Sequence, residues 1–298
     1  MPTLKMAIVC TVRNPAASFK TWINYHSKLV DKIYLYLDSS TPAILSGLPT
    51  SPVVSVCPGA WLSTFSGPSG VMQRQCVNVR HGLKQCSIDG IDWLIHIDSD
   101  ELMYSPVQSL KDYFAHVDPN VSSIQFINHE AVSAYAADDP FRELKIFKKN
   151  RRFDRSTDTP LAEGSPYYQG YTFGKSAVRV QKCLGPVSVH EFETSNGKMV
   201  REHQVCVLHY LSATYKDWIK KCSELGSFQS FWYDDVKSPM HQSFLVQSRD
   251  IYLSAMQSGD WSLAREFYVN NLMSDTEKEK WLQSGELLFI DPFAMRSQ

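Results

Sequence analysis

The chain has 298 residues, 43% of them hydrophobic and 20% charged, with a formal net charge of −1. Those values exclude a disordered or fibrous polypeptide and argue against nucleic acid as a main partner, since binding a phosphate backbone needs a basic excess. The length suits one large domain, or one domain with a smaller appendage. The seven cysteines, Cys10, Cys57, Cys76, Cys86, Cys183, Cys206 and Cys222, are odd in number, widely spaced and form no Cys-x-x-Cys. Neither a disulfide framework nor a structural zinc site is expected, and a reducing compartment is. The start runs directly into an apolar stretch without a cleavage-like site, and no apolar run nears the ~20 residues that span a bilayer. The expectation is a cytoplasmic protein with no integral membrane segment.

Met6–Val12 is a short apolar, β-branched run and predicts a buried strand ended by Arg13, Asn14 and Pro15. From Ser18 the spacing turns helical, with Phe19, Trp22, Ile23, His26 and Leu29 on one face. Lys32–Leu37 predicts a second strand ending at Asp38, and Val53–Cys57 a third. A Gly/Ser/Pro loop over 63–70 precedes a predicted helix, Val71–Ser87. Trp93–Ile97 predicts a fourth strand that stops at Asp98-Ser99-Asp100-Glu101, and Ser123–Ile127 a fifth. This alternation predicts an α/β fold, a mostly parallel central sheet flanked by helices. The stretch 138–174, with basic residues Lys145, Lys148, Lys149, Arg151, Arg152 and Arg155, reads as an irregular insertion. Short strand-like runs return at Ser176–Val180, Val187–Val189 and Val205–Leu208. From Ala213 the pattern is helical and aromatic, which places a boundary near 212 between a domain over 1–212 and a helical C-terminal portion over 213–298.

Ligands of such sheets bind beyond the carboxyl ends of the strands. Three predicted strand ends carry suitable groups: Arg13 with Asn14, Asp38, and Asp98 with Asp100. Two carboxylates two residues apart after a buried strand can point at one cation, and oxygen donors suit Mg²⁺ or Mn²⁺. A diphosphate that supplies the remaining oxygens makes a short acidic motif sufficient. The alternative is an acidic turn that ends a strand.

The pattern Val12-Arg-Asn14, Trp22-Ile-x-Tyr-His26, Asp31-Lys-Ile-Tyr-Leu-Tyr-Leu-Asp38-x-Ser40 and Trp93-x4-Asp98-x-Asp100-Glu101 resembles the family 2-like and family 92-like glycosyltransferases. Gly174-Lys175-x3-Arg179, Val189-His190 and Leu208-His209-Tyr210 extend the resemblance, which covers most of residues 6–221. It implies the GT-A (nucleotide-diphospho-sugar transferase) fold, a nucleotide-diphosphate sugar as donor, Mn²⁺ or Mg²⁺, and a glycan or glycoconjugate acceptor. By resemblance, Arg13 and Asn14 would lie near the nucleotide and Asp38 would contact the base or ribose. Asp98 would touch the ribose or the metal, Asp100 would hold the metal, and His209 or His190 would complete its shell. Lys175 and Arg179 would neutralise the diphosphate, or else form a polar strand face. The basic cluster at 145–155 reads as a solvated loop, with a phosphorylated acceptor as its functional alternative. The chain departs from the family in having Pro15 where glutamate is common.

An inverting transferase needs a carboxylate base, for which Glu130, Asp138, Asp139, Glu163 and Glu191 are the candidates. A phosphatase of the haloacid dehalogenase kind also puts Asp-x-Asp after an apolar strand, but typically near its start and with Thr or Val where this chain has Leu102. A protein that binds a nucleotide sugar or glycan without turning it over is the non-enzymatic alternative. A nucleotidyltransferase fits less well, since Val12-Arg-Asn-Pro-Ala-Ala lacks the glycines of its phosphate loop.

Overall fold

The computed structural model describes residues 3–38, 51–58, 70–151, 169–228 and 242–294. The loop at 63–69, Arg152, Arg155 and Glu163 lie outside the described residues. In chain order the elements are β1 (Met6–Val12), α1 (Phe19–His26), β2 (Lys32–Leu37), β3 (Val54–Pro58), α2 (Val71–Asp89), β4 (Trp93–His96), β5 (Glu101–Tyr104), α3 (Leu110–Ala115), β6 (Val121–Ala131), α4 (Pro140–Glu143) and β7 (Ile146–Lys148). There follow β8 (Lys175–Arg179), β9 (Cys183–Pro186), β10 (Phe192–Thr194), β11 (Lys198–His209), α5 (Tyr215–Leu225), α6 (Gln247–Ser258), α7 (Ser262–Asn270), α8 (Asp275–Gln283) and β12 (Leu287–Phe289). The chain divides into two compact units. Unit 1 comprises 1–65, 70–128 and 173–208, and unit 2 comprises 66–69, 129–172 and 209–298.

Unit 1 holds a mixed sheet in the order β6-β8-β4-β1-β2-β3. The half made of β4, β1, β2 and β3 is parallel, whereas β8 runs antiparallel to both β4 and β6. All seven residues of β1 are buried, which is why Met6–Val12 shows a continuous apolar run instead of alternation. On one face α2 packs Val79 and Cys86 against Ala7, Val9, Tyr34 and Tyr36. The Tyr34 hydroxyl donates to Asp89 at 2.7 Å and fixes the end of α2. All seven cysteines are free thiols, and burial pushes the Cys86 thiol up to about 12.

Two predicted strands came out differently. Val187–Val189 is a turn between β9 and β10, closed by the Val187 and Ser188 N–H groups on the Glu191 carbonyl. β11 is 12 residues long, and only its last five, Val205–His209, are all buried. The apolar run that predicted it marked its buried end and left the exposed part unseen.

Gly174 fixes the entry to β8. Its φ is +72°, and a Cβ there would stand 1.9 Å from the Phe126 carbonyl oxygen. Gly174→Ala is expected to lower stability by at least about 2 kcal/mol, since a left-handed conformation alone costs an L-residue roughly 1–2 kcal/mol. Urea unfolding checks this.

Unit 2 joins the middle segment to the C-terminal helices. β7 pairs antiparallel with the last residues of β6, Glu130 opposite Lys148, and with β12, Leu287 opposite Lys148. The helices α5, α6 and α7 close over Trp218, Phe244, Tyr252 and Tyr268. The predicted basic loop is partly structural here: Lys145 pairs with Asp291 at 2.5 Å and Arg151 with Glu286 at 2.6 Å. Among the described residues no helix is long and apolar enough to cross a membrane.

Candidate functional site

The parallel register aligns three strand ends in unit 1. Val12 pairs with Leu37, and Val9 with His96. The residues just beyond are Arg13 and Asn14 after β1, Asp38 after β2, and Asp98 and Asp100 after β4. The fold therefore brings Arg13, Asn14, Asp38, Asp98 and Asp100 to one edge of one sheet, where open α/β sheets bind ligands. Asn14 adopts a positive φ of 42°, which Asn tolerates better than most residues.

Both carboxylate oxygens of Asp98 accept a hydrogen bond. Its Oδ1 accepts from Gln75 Nε2 at 2.7 Å and its Oδ2 from Lys175 Nζ at 2.6 Å. Its own N–H donates to Glu101 Oε2 at 2.7 Å, so the turn folds back on the first residue of β5. Glu101 is fully buried, and burial raises its pKa well above the ordinary carboxylate value, with Lys175 pulling the other way. Lys175 is likewise fully buried. Burial acts to lower its pKa, but the carboxylates of Asp98 and Glu101 outweigh that and raise it.

Three residues of α1 brace the same turn. Trp22 Nε1 donates to the Glu101 carbonyl at 2.7 Å, and Tyr25 Oη to the Met103 carbonyl at 2.8 Å. His26 Nε2 accepts from the Met103 N–H at 3.2 Å, so its proton sits on Nδ1 and is donated to the Trp22 carbonyl at 3.0 Å. The Trp22-x-x-Tyr25-His26 spacing is thus a helix face that clamps β5 by its backbone.

Burial holds His26 neutral, with a pKa lowered to about 3, and it lowers that of His96 to about 4. A histidine whose folded pKa is depressed binds its proton more readily in the unfolded chain. Stability is therefore full above the unfolded value near 6.5 and falls as pH drops from there toward 4. The unfolding free energy should lose about two protons' worth of slope near pH 5 from this pair. Denaturant midpoints measured from pH 7 to 4.5 test it, and His26→Gln should remove about one proton of that slope.

The other sequence candidates divide. Asp38 is buried and gripped by the fork of Arg74: Nε to Oδ1 at 2.6 Å and Nη2 to Oδ2 at 2.8 Å. Arg179 points away from the strand-end cluster. It donates to the Val121 and Val117 carbonyls and lies 4.5 Å over the Trp93 ring. His190 Nδ1 donates to the Gly174 carbonyl at 2.7 Å, next to Lys175, and burial lowers its pKa to about 3. Glu191 is exposed in the adjoining turn.

Glu130, Asp139 and His209 belong to unit 2. Glu130 is fully buried and accepts from Lys148 Nζ at 2.7 Å and from the N–H groups of Gln169 and Gly170. A Cβ at position 170 would stand 2.6 Å from Glu130 Oε2 and 3.2 Å from the His209 ring, so only glycine lets that backbone approach. Tyr171 lies 4.9 Å from the His209 ring. Asp139 opens α4 and pairs with Arg142 at 3.5 Å, while Asp138 is exposed.

Sequence reasoning missed Arg74 and Gln75. A signal existed: Arg74 and Asn78, one helical turn apart, share the buried face of α2 with Val79 and Cys86. Polar residues on a buried face need partners, and Asp38 and Thr11 are theirs, with Asn78 Nδ2 on Thr11 Oγ1 at 2.9 Å.

Among the described residues no three His, Cys, Asp or Glu side chains converge as metal ligands. The all-oxygen pair Asp98 and Asp100 nevertheless fits Mg²⁺ or Mn²⁺, ions commonly held by one or two carboxylates together with substrate phosphates. It does not fit a structural zinc, which takes four protein ligands.

No family profile matches the chain. Two Arabidopsis thaliana proteins named glycosyltransferase-like align with it, each 27% identical over 263 residues. The alignments cover 76% of this chain and 58% of the first relative, and 75% and 50% of the second. The chain spans about half the length of the curated relatives it matches. Among solved structures, a mannosyltransferase of Pyrobaculum calidifontis in complex with GDP-Man and Mn²⁺ aligns over 94% of this chain and 79% of its own, at 11% identity and a TM-score of 0.41. The 4-diphosphocytidyl-2C-methyl-D-erythritol synthase of Anaerococcus prevotii covers 67% and 89%, at 12% identity and a TM-score of 0.32.

Proposed function

We propose that the chain carries the donor site of a glycosyltransferase, which moves a sugar from a nucleotide-diphosphate donor to a hydroxyl of a glycan or glycoconjugate. The observation that carries this reading is the strand-end cluster of unit 1: Arg13, Asn14, Asp38, Asp98 and Asp100 beyond three adjacent parallel strands. The alignment with two glycosyltransferase-like proteins over three quarters of the chain supports it.

In this reading the acceptor oxygen attacks the anomeric carbon, the bond to the diphosphate breaks, and the electron pair leaves with the nucleoside diphosphate. Mn²⁺ or Mg²⁺, when bound, neutralises the charge that builds on that leaving group. Asp100 is the metal-holding carboxylate. Asp98, fixed by Gln75 and Lys175, orients the turn and faces the ribose. Arg13 and Asn14 border the nucleotide, and the Arg74–Asp38 pair shapes the floor below the base.

Of the carboxylates considered as base, Glu191 and Asp138 are exposed, and we take Glu191 because it follows His190, whose Nδ1 donates to the Gly174 carbonyl beside Lys175; Glu130 is occupied by Lys148 and two backbone N–H groups.

The test is release of nucleoside diphosphate from a panel of nucleotide sugars with Mn²⁺ and no acceptor. Slow hydrolysis of one donor supports the reading. Intact donors throughout, together with hydrolysis of p-nitrophenyl phosphate, would replace it with the phosphatase.

A further inference from the structure

The geometry points to Lys175 as a built-in cation that reserves Asp98, so that a divalent metal at this turn is held by Asp100 and by the oxygens its phosphate ligand brings. Lys175 cannot readily leave. Its backbone is fixed in β8 between two neighbours, with Phe126 opposite Lys175 and Ile95 opposite Ala177. The residue before it, Gly174, is locked by the close approach of the Phe126 carbonyl and by His190 Nδ1 on its own carbonyl. The side chain of Lys175 has no exposed surface, and its ammonium lies 2.6 Å from Asp98 Oδ2. Drawn away from Asp98, it would give up its direct ion pair while still buried, which is strongly unfavourable.

The second oxygen of Asp98 is occupied by Gln75 at 2.7 Å. A divalent ion coordinated directly by Asp98 would share oxygens that each already accept a hydrogen bond and, above all, stand close to a fixed like charge. Asp-x-Asp in this chain is thus one metal carboxylate beside one structural carboxylate with its own cation. Two consequences follow. Metal affinity without a phosphate ligand is weak, because among the described residues no third His, Cys, Asp or Glu joins the turn. Removing the ammonium releases Asp98 and turns the pair into a two-carboxylate site.

This inference takes the phosphate ligand from the proposed function, but its test does not depend on that reading. Free Mn²⁺ is measured by electron paramagnetic resonance during titration of the full chain. Wild type is expected to bind Mn²⁺ alone with a millimolar or weaker Kd. Lys175→Met should bind it at least tenfold tighter, and Lys175→Met with Asp98→Asn should return to the wild-type value. Where Lys175→Met fails to fold, as circular dichroism would show, Asp98→Asn decides, because it leaves an oxygen for Lys175. Its Mn²⁺ binding, alone or with inorganic pyrophosphate, should stay within twofold of wild type, while Asp100→Asn weakens it at least tenfold. The inference is overturned if Asp98→Asn loses as much as Asp100→Asn, if Lys175→Met gains nothing, or if no protein in the series binds Mn²⁺. Mn²⁺ results as expected with no nucleotide binding would leave Lys175 in this role and remove only the transferase reading.

Discussion

Arg74→Leu is expected to lower the unfolding free energy by about 3–5 kcal/mol, the usual cost of removing one partner of a buried ion pair. Arg74 and Asp38 are only 5% and 3% exposed at their side chains and meet through two guanidinium nitrogens, Nε and Nη2, and both carboxylate oxygens. Leucine fills most of the volume but leaves the Asp38 carboxylate buried and unpaired at the end of β2. The double variant Arg74→Leu, Asp38→Leu removes both charges and should recover much of the loss, as well-packed apolar replacements of buried pairs do. Denaturant unfolding of the two singles and the double closes the cycle. A single-variant loss below about 1 kcal/mol would mean that water reaches the pair.

Asp100→Ala is expected to cut donor turnover by about a thousandfold while leaving the folded state nearly unchanged. A metal at a leaving diphosphate supplies several kcal/mol of charge stabilisation, and roughly 1.4 kcal/mol corresponds to tenfold in rate. The residue is half-buried in the turn between β4 and β5, outside the hydrophobic core, so its removal opens no core cavity. Stability should move by no more than about 0.5 kcal/mol. Donor hydrolysis with Mn²⁺, read beside a thermal melt, separates the two effects. A thousandfold loss accompanied by a large drop in Tm would instead make Asp100 a structural residue.

Much of unit 1 was legible because its signals are local. The unbroken apolar runs Met6–Val12 and Lys32–Leu37 fixed two strands, and the abrupt Asp98-Ser-Asp100-Glu101 after Trp93–Ile97 fixed the turn. Parallel order then followed from alternation with α1 and α2. What stayed hidden depends on partners far apart in the chain. Lys175 reads as a cation for the diphosphate, or as part of a polar strand face, until its ammonium is seen on Asp98, 77 residues away. Glu130 reads as a possible base until Lys148 and the Gln169 and Gly170 N–H groups occupy it. Arg179 looked like a partner of Lys175 because both lie on one strand, yet it turns to the Val117 and Val121 carbonyls. β7 escaped notice because three residues carry no measurable period, and it is defined only by pairing with β6 and β12.

The measurement closest to the central claim is thermal shift of the full chain with Mn²⁺ and a panel of nucleoside diphosphates, repeated for Asp100→Ala. A ligand at 100 times its Kd adds ~2.7 kcal/mol of stability, well above detection. The donor-site account predicts stabilisation by one nucleoside diphosphate that requires Mn²⁺ and disappears with Asp100. No shift from any nucleotide, with or without metal, would contradict it.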